Sequence, residues 1–309
     1  MPAAARPVGA HVPTAGGLAR SALPYLDSAR AEVVQVFVSN PRGWALSPGD
    51  PAQDEEFRAG CAARGVPAYI HACLLVNLGS PTPATVERSV ATLAHALRRG
   101  AAIGARGVVF HAGSAVTAAP GEQTRRGYAA AALRQVRRAL LPLLDEASAR
   151  GWPPLLVEPS AGGGRSLAAR VEQLGPYLDA VDRHPALGVC LDTCHAWAAG
   201  HDLAAPGGMT ATLDALVAAC GADRLWLVHA NDSRDACGST RDRHENVGNG
   251  SIGEAAFAEL LRHPATAGVP VVVETPTTGF AGHAADIARL RSLRTECGDV
   301  VRSVAGTTT

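Results

Sequence analysis

The hydrophobic positions of this chain fall into short, almost continuous apolar runs that are separated by longer amphipathic stretches. We predict a strand at each of eight runs, near residues 7–12, 33–39, 66–72, 107–113, 154–160, 187–193, 225–232 and 269–275. Strands that are apolar on both faces are typical of a parallel sheet that is covered on both sides. The pattern therefore predicts a parallel sheet with helices packed around it.

The stretches between the runs have helical spacing. Val86, Val90 and Leu93 recur every three or four residues and therefore share one helix face. Thr82 followed by Pro83 predicts the start of this helix, with the threonine as N-cap and the proline in the first turn. Strands that alternate with helices form βαβ units, and eight such units predict a single (β/α)8 TIM barrel, an α/β fold.

The 309-residue chain shows no internal linker that would divide it. We therefore expect one TIM-barrel domain over residues 1–302. Residues 303–309 are mostly small or polar, which predicts a flexible C-terminal tail.

Histidines and carboxylates stand where six of the eight runs end. These side chains are His71, His111, Glu158, Asp192, His229 and Glu274. The active site of a TIM barrel lies at the C-terminal face of the strands, so these side chains should converge there. One histidine at a strand end is more often an ordinary polar residue than a ligand, but repetition at six ends favours a metal centre.

Three further residues extend this set. His195 lies one helical turn after Asp192, so the two residues could bind neighbouring ions. Asp242 and His244 are two residues apart, so in an extended segment both point the same way and can hold one ion. Imidazoles and carboxylates without thiolates favour Zn²⁺ or Mn²⁺. Nine such ligands suit two or three ions, and ions close together can activate water for attack on phosphorus.

Composition narrows the chemistry further. All 28 basic residues are arginine, which excludes a lysine Schiff base and a lysine-bearing phosphate loop. The formal net charge is zero, so a strongly basic nucleic-acid protein is not indicated, although a local basic face stays open. The start of the chain has no secretory signal, and no stretch approaches the ~20 apolar residues of a membrane span. We therefore expect a cytoplasmic protein.

Two loops just beyond predicted strand ends allow both a structural and a functional interpretation. Arg42 in SNPRGW either binds a phosphate or is a solvated loop charge, and its position leaves both open. Leu74 and Leu75, which follow His71 closely, are either buried under a loop or form an apolar wedge that enters a bent duplex.

Longer segments of the chain resemble the endonuclease IV family of apurinic/apyrimidinic-site endonucleases. The matching segments are GAHVPTAGG, FVSNPRGW, IHACLLVNLGSP, VFHAGS, VEPSAG, CLDTCHAWAAGHDL, VHANDS, DRHENVGNGSIG and VVETP. They run from about Gly9 to about Glu274 in the family's order, and CLDTCHAWAAGHDL and DRHENVGNGSIG are the most specific.

The resemblance implies three zinc ions per chain, with some sites open to Mn²⁺. The first would be held by His71, His111 and Glu158. The second would share Glu158 as a bridge, which makes this residue the catalytic candidate, and would add Asp192, His229 and Glu274. The third would take His195, Asp242 and His244.

The resemblance also implies an activity and a partner. The family hydrolyses the phosphodiester 5′ to an abasic site in double-stranded DNA and leaves a 3′-hydroxyl and a 5′-deoxyribose phosphate. Arg42 and Leu75 stand where the family inserts an arginine and a leucine into the DNA, whereas Leu74 replaces a common tyrosine. A monomer without an obligate protein partner is expected.

Two other functions compete with this one. A sugar isomerase or epimerase on the same barrel would use one divalent ion and about four ligands. The additional set of candidate ligands, His195, Asp242 and His244, exceeds what such a single-ion site would need. A DNA-damage binding protein without turnover would have no evident need for nine metal ligands.

Overall fold

Eight parallel strands close into a barrel, as predicted. The computed structural model describes residues 6–116, 125–277 and 282–305. Its strands are β1 (Val8–His11), β2 (Val34–Val36), β3 (Ala68–His71), β4 (Val108–His111), β5 (Leu155–Glu158), β6 (Leu187–Asp192), β7 (Leu225–His229), β8 (Asp232–Ser233), β9 (His244–Glu245) and β10 (Val271–Val273). All but β8 and β9 form the barrel, and β10 closes it between β7 and β1.

Each predicted barrel strand is present but shorter than its apolar run. The run at 33–39, for example, is paired only over Val34–Val36, because the chain then leaves the ladder toward the loop that carries Arg42. The antiparallel pair β8 and β9 was not predicted, since two residues per strand are too few to show a period.

Helices follow the strands and cover the outside of the barrel. They are α1 (Leu18–Ala29), α2 (Pro51–Arg64), α3 (Pro83–Ile103), α4 (Arg125–Arg150), α5 (Leu174–Asp179), α6 (Thr193–Ala198), α7 (Gly208–Cys220), α8 (Glu254–Arg262) and α9 (Ala284–Ala305). Thr82 is the N-cap residue of α3, as predicted, but its side chain makes no capping hydrogen bond. Gly104 ends this helix with a φ of 69°, a left-handed conformation that glycine adopts without strain.

The last helix reaches into the segment predicted as a tail. Helix α9 extends to Ala305, whereas residues 306–309 lie outside the described residues. The division into a domain and a tail stays a prediction. Within the described ranges, no helix is both long and apolar enough to cross a membrane.

Every second residue of a barrel strand points inward, so the inward-facing side chains form two layers that lie two residues apart. The inner layer is apolar and consists of Val33, Tyr69, Val109, Leu156, Cys190, Leu227 and Val272. The residues two positions later form the rim layer, which consists of Gln35, His71, His111, Glu158, Asp192, His229 and Glu274. The inner layer thus forms an apolar floor beneath a polar rim.

Strand β1 shows how tightly the barrel is closed at this level. A Cβ atom at Gly9 would lie 1.8 Å from the carbonyl oxygen of Val33, so no side chain fits there. Two residues later His11 joins the rim. The outward strand faces, including Ile70, Phe110 and Val157, are buried in the main core, which also contains helix residues.

Candidate metal centre

All nine predicted ligand residues come together at the C-terminal face of the barrel. His71, His111, Glu158, Asp192 and His229 are the last residues of their strands, and Glu274 directly follows β10. His195 lies in α6, Asp242 in the connection from β8 to β9, and His244 in β9. The strand-end interpretation of the sequence therefore placed six of them on the correct face, and the other three join them there.

Glu158 is the hub of this cluster and is fully buried. Its Oε2 lies 3.2 Å from Nε2 of His71 and 3.5 Å from Nε2 of His111. Its Oε1 lies 3.0 Å from Nδ1 of His229 and 3.3 Å from Nδ1 of His195. Burial alone would raise the pKa of Glu158, but the charge on His229 and hydrogen bonds from the imidazoles lower the pKa well below its ordinary value.

A second group gathers around Nδ1 of His229. This atom lies 3.5 Å from Oε2 of Glu274 and 3.9 Å from Oδ2 of Asp192. Burial raises the pKa of Asp192, whereas for Glu274 the charge on His229 and a hydrogen bond to His11 outweigh burial and lower the pKa. The group is thus a set of one imidazole and two carboxylates next to Glu158.

The third group centres on Asp242, which is about half exposed at the mouth of the site. Its Oδ2 lies 3.2 Å from Nε2 of His195, and its Oδ1 lies 3.0 Å from Nε2 of His244. Burial acts to lower the pKa of His244, but the adjacent carboxylate of Asp242 and the charge on Asp192 raise it to about 9.

Hydrogen bonds behind the imidazoles decide which nitrogen faces the cluster. Nδ1 of His71 lies 2.7 Å from the carbonyl oxygen of Ala72, and Nδ1 of His195 lies 2.9 Å from that of Pro159. Because a carbonyl oxygen only accepts, both Nδ1 atoms carry the hydrogen and leave Nε2 free. His244 is held in the same way by the carbonyl oxygen of Glu274, at 3.1 Å.

His229 has the opposite arrangement. Its Nε2 lies 2.9 Å from Oε1 of Gln35, so its free nitrogen is Nδ1, which points toward Glu158. In each of these histidines an acceptor on the far side thus determines which ring nitrogen faces the cluster, an arrangement typical of metal-binding histidines.

The donor set fits divalent metal ions. Three groups of imidazole and carboxylate atoms have all their ligand atoms within 4.8 Å of one another: His71, His111 and Glu158; Asp192, His229 and Glu274; and Asp192, His195 and His244. Nε2 of His244 is buried, and its 3.0 Å contact with Oδ1 of Asp242 lacks the direction of a hydrogen bond, as expected of a nitrogen that would bind an ion. These donors suit Zn²⁺ or Mn²⁺.

Two cysteines also approach the cluster. Cys190 lies near Glu158 and His229, and Cys194 lies near Asp242 and His244. Burial raises the pKa of both thiols to about 12, which disfavours the thiolate form that binds metal ions.

The sequence interpretation missed the residues that orient the ligands. Gln35 contacts His229 and Glu274, and Nδ2 of Asn231 donates to Oδ2 of Asp192 at 2.6 Å. One signal was available for Gln35: it is a lone polar residue in an apolar run and lies two positions after a floor residue. His11, the rim residue of β1, lies with its Nδ1 3.1 Å from Oε1 of Glu274.

A cavity of about 580 Å³ opens above the centre. Ligand candidates form part of its lining, which also includes Arg42 and Leu74. His283, which no sequence pattern singled out, lines it too, and its Nδ1 accepts a hydrogen bond from the hydroxyl of Tyr25 at 2.7 Å. Leu74 and Leu75 are about 40% and 39% exposed, which disfavours burial under a loop.

Comparisons with known proteins give matches over most of the chain. A family model described as a xylose isomerase-like TIM barrel matches residues 26–294. The "Probable endonuclease 4" of Streptomyces coelicolor is 58% identical over 288 residues, which cover 93% of this chain and 95% of that protein. Its counterpart in Methanoculleus marisnigri is 37% identical over 287 residues, which cover 93% and 98%.

Solved structures agree with the sequence matches. The crystal structure of endonuclease IV from Thermus thermophilus has a TM-score of 0.77 and 36% identity, and the match covers 94% of this chain and 99% of that one. An L-ribulose 3-epimerase has a TM-score of 0.72 at 16% identity, over 99% and 100% of the two chains. The second likeness shows the fold alone.

Proposed function

The chain belongs to the endonuclease IV family, and from this membership we propose that it is a zinc-dependent endonuclease of base excision repair. The bond it hydrolyses is the phosphodiester 5′ to an abasic site, and the products are a 3′-hydroxyl and a 5′-deoxyribose phosphate. That the chain is a nuclease acting on DNA follows from the family itself. The proposal adds that the ion is zinc, that the lesion is an abasic site and that the cleaved bond is the phosphodiester 5′ to it.

One observation carries the proposal: Glu158 presents each of its two carboxylate oxygens to two imidazoles. A buried carboxylate shared in this way is suited to bridge two cations. A single-ion site would not need the separate group around Asp242. The arrangement therefore supports a multinuclear centre.

We assign the ligands as the family resemblance implies, and the distances around Glu158, His229 and Asp242 support this assignment. His71, His111 and Glu158 would hold the first ion, and Glu158, Asp192, His229 and Glu274 the second. His195, Asp242 and His244 would hold the third. Bound zinc supplies Lewis acidity, which neutralises phosphate charge and makes water nucleophilic near neutral pH.

The chain's own side chains would place the DNA. Arg42 is exposed and lines the cavity, so its guanidinium can pair with a backbone phosphate next to the ligands. Leu75 is exposed and apolar, which suits a wedge between base steps. Extrusion of a nucleotide into the cavity costs least where the base is already lost, and this supplies part of the selectivity for abasic sites.

We also propose that the protein acts as a monomer. All nine ligand candidates come from one chain, so the centre needs no residue from a second copy. Size-exclusion chromatography with light scattering tests this, and a mass near 31.6 kDa is expected.

Incision of a defined duplex tests the function. The purified protein is incubated with a 5′-labelled duplex that carries one tetrahydrofuran abasic analogue, with and without a chelator. This analogue cannot form a Schiff base, so only hydrolysis cuts it. We expect a product whose 3′ end a DNA polymerase can extend, its loss on chelation and its recovery when Zn²⁺ is restored.

The other functions give different outcomes in the same assay. Tight binding without incision by the metal-loaded protein would indicate a DNA-damage binding protein. Neither binding nor incision, together with epimerisation of a ketose, would indicate the sugar-converting alternative. Either result would overturn the proposal.

A further inference from the structure

We propose that Gln35 is a positioning residue that makes His229 and Glu274 ligands of one ion. This inference rests on the metal centre of the proposed function. Gln35 belongs to the rim layer, and it is the one member that is neither an imidazole nor a carboxylate. It is fully buried in β2, where its amide needs partners.

The neighbours of Gln35 determine how its amide is oriented. One end lies 2.7 Å from Oε1 of Glu274. A carboxylate only accepts hydrogen bonds, so the atom at this end is the amide nitrogen Nε2. The oxygen Oε1 then faces Nε2 of His229 at 2.9 Å, and this ring nitrogen must donate.

This orientation has a consequence for His229. With the hydrogen on Nε2, the lone pair is on Nδ1, the nitrogen that faces Glu158, Glu274 and Asp192. The other tautomer would place a hydrogen on Nδ1 and a lone pair against the lone pairs of Oε1 of Gln35. Gln35 therefore selects the tautomer that can bind an ion.

The same amide also orients Glu274. By donating to Oε1, Gln35 leaves Oε2 to face Nδ1 of His229 at 3.5 Å. Nδ1 of His11 lies 3.1 Å from the same Oε1 and 3.0 Å from Nε2 of Gln35, so the amide of Gln35 also contacts the imidazole beside Glu274. One side chain that binds no ion thus orients both His229 and Glu274.

Glu158 and Asp192 are held by other residues. Asn231 donates to Asp192, and imidazoles surround Glu158. The loss of Gln35 should therefore weaken one ion and spare the ions held by His71 with His111 and by His195 with His244. Loss of a partner behind a metal ligand typically lowers metal affinity about 10- to 100-fold.

Metal titration of two variants tests this inference. Gln35→Met keeps the length of the side chain but removes its hydrogen bonds with His229, Glu274 and His11. Gln35→Glu keeps the acceptor for His229 and loses the donor to Glu274. Gln135→Met is the matched control, because its amide donates to the carbonyl oxygens of Leu78 and Ser80 away from the cluster.

Each apoprotein is titrated with Zn²⁺ against a chromophoric chelator, and the visible spectrum of its Co²⁺ form is recorded. We expect three ions in the wild type and in Gln135→Met. In Gln35→Met one ion should bind about 10- to 100-fold more weakly, with a changed cobalt spectrum, and Gln35→Glu should also weaken that ion. Circular dichroism checks that each variant is folded.

The outcomes separate this inference from the function. Three ions of unchanged affinity in either folded Gln35 variant, with an unchanged cobalt spectrum, would overturn the role of Gln35 and leave the endonuclease proposal standing. A wild-type chain that binds no zinc at micromolar concentration would refute the metal centre itself. A uniform loss of all three ions would show a structural role rather than a positioning one.

Discussion

The thiol of Cys73 donates a hydrogen bond to the carbonyl oxygen of Pro41 at 3.2 Å, and the backbone N–H of Leu74 donates to the same oxygen at 2.9 Å. These two bonds join the loop that carries Arg42 to the loop that carries Leu75. The two residues proposed to contact DNA are therefore held on one connected support.

Removal of the thiol should loosen this support. We expect Cys73→Val to weaken binding of an abasic duplex several-fold, since one hydrogen bond contributes about 1 kcal/mol. Cys73→Ser keeps a donor and should bind nearly as wild type. Fluorescence anisotropy with a duplex that has a non-hydrolysable scissile linkage measures this difference, and equal affinities for the two variants would contradict it.

Glu158→Gln should abolish incision. The amide has nearly the same shape, but it removes the negative charge that two ions would share and places an N–H₂ group among imidazoles. We expect a loss of at least about 100-fold in kcat. Glu259→Gln is the control, because Glu259 accepts from Gly207 and Thr210 outside the centre. Single-turnover cleavage rates measure this loss. Near-normal rates in Glu158→Gln would refute the role of Glu158 in incision.

Asp232 should be essential for the loop that follows β9. It is fully buried and accepts hydrogen bonds from the backbone N–H groups of Gly248, Gly250, Ile252 and Gly253. Asp232→Asn would turn an amide N–H₂ toward some of these donors, and we expect a loss of about 2–3 kcal/mol in the free energy of unfolding.

Urea denaturation measures that loss. The control is Asp179→Asn, since Asp179 forms an exposed ion pair with Arg183 and should change stability by less than about 1 kcal/mol. Because β8 pairs with β9, the zinc count of Asp232→Asn should also fall at the site of His244. Equal unfolding energies for the two variants would rule out this role.

Glu32 should make stability depend on pH. Burial acts to raise its pKa, but hydrogen bonds from Arg294 and the N–H of Val8 lower it below the ordinary value of 4.5. The folded state therefore binds its proton less readily than the unfolded state. The stabilisation is fully present above pH 4.5 and is lost as the pH falls through the lowered folded-state pKa.

The comparison with Glu32→Gln isolates this contribution. Both proteins are unfolded in urea with excess chelator, so that metal loss affects them equally. The wild type should be more stable by about 1 kcal/mol at pH 7, because the ion pair is partly exposed. A difference that does not shrink with falling pH would contradict the assignment.

The barrel and the convergence of the candidate ligands at one face could be predicted because both follow from simple periodicities. Apolar runs mark strands that are buried on both faces, and the end of a parallel strand marks the active face, so His71 and Glu158 were placed correctly. Gln35 was not predicted because its one signal, a lone polar residue in an apolar run, does not indicate which side chains it contacts. The bonds of Asp232 could not be predicted, since they join its carboxylate to backbone atoms far along the chain.

The position of β10 between β7 and β1 sets an order for biosynthesis. Several candidate ligands leave the ribosome long before Glu274 does, yet the ring cannot close until β10 reaches β1. A growing chain therefore carries these histidines and carboxylates before they can converge. Competence to cut DNA therefore arises only after β10 and Glu274 have been synthesised.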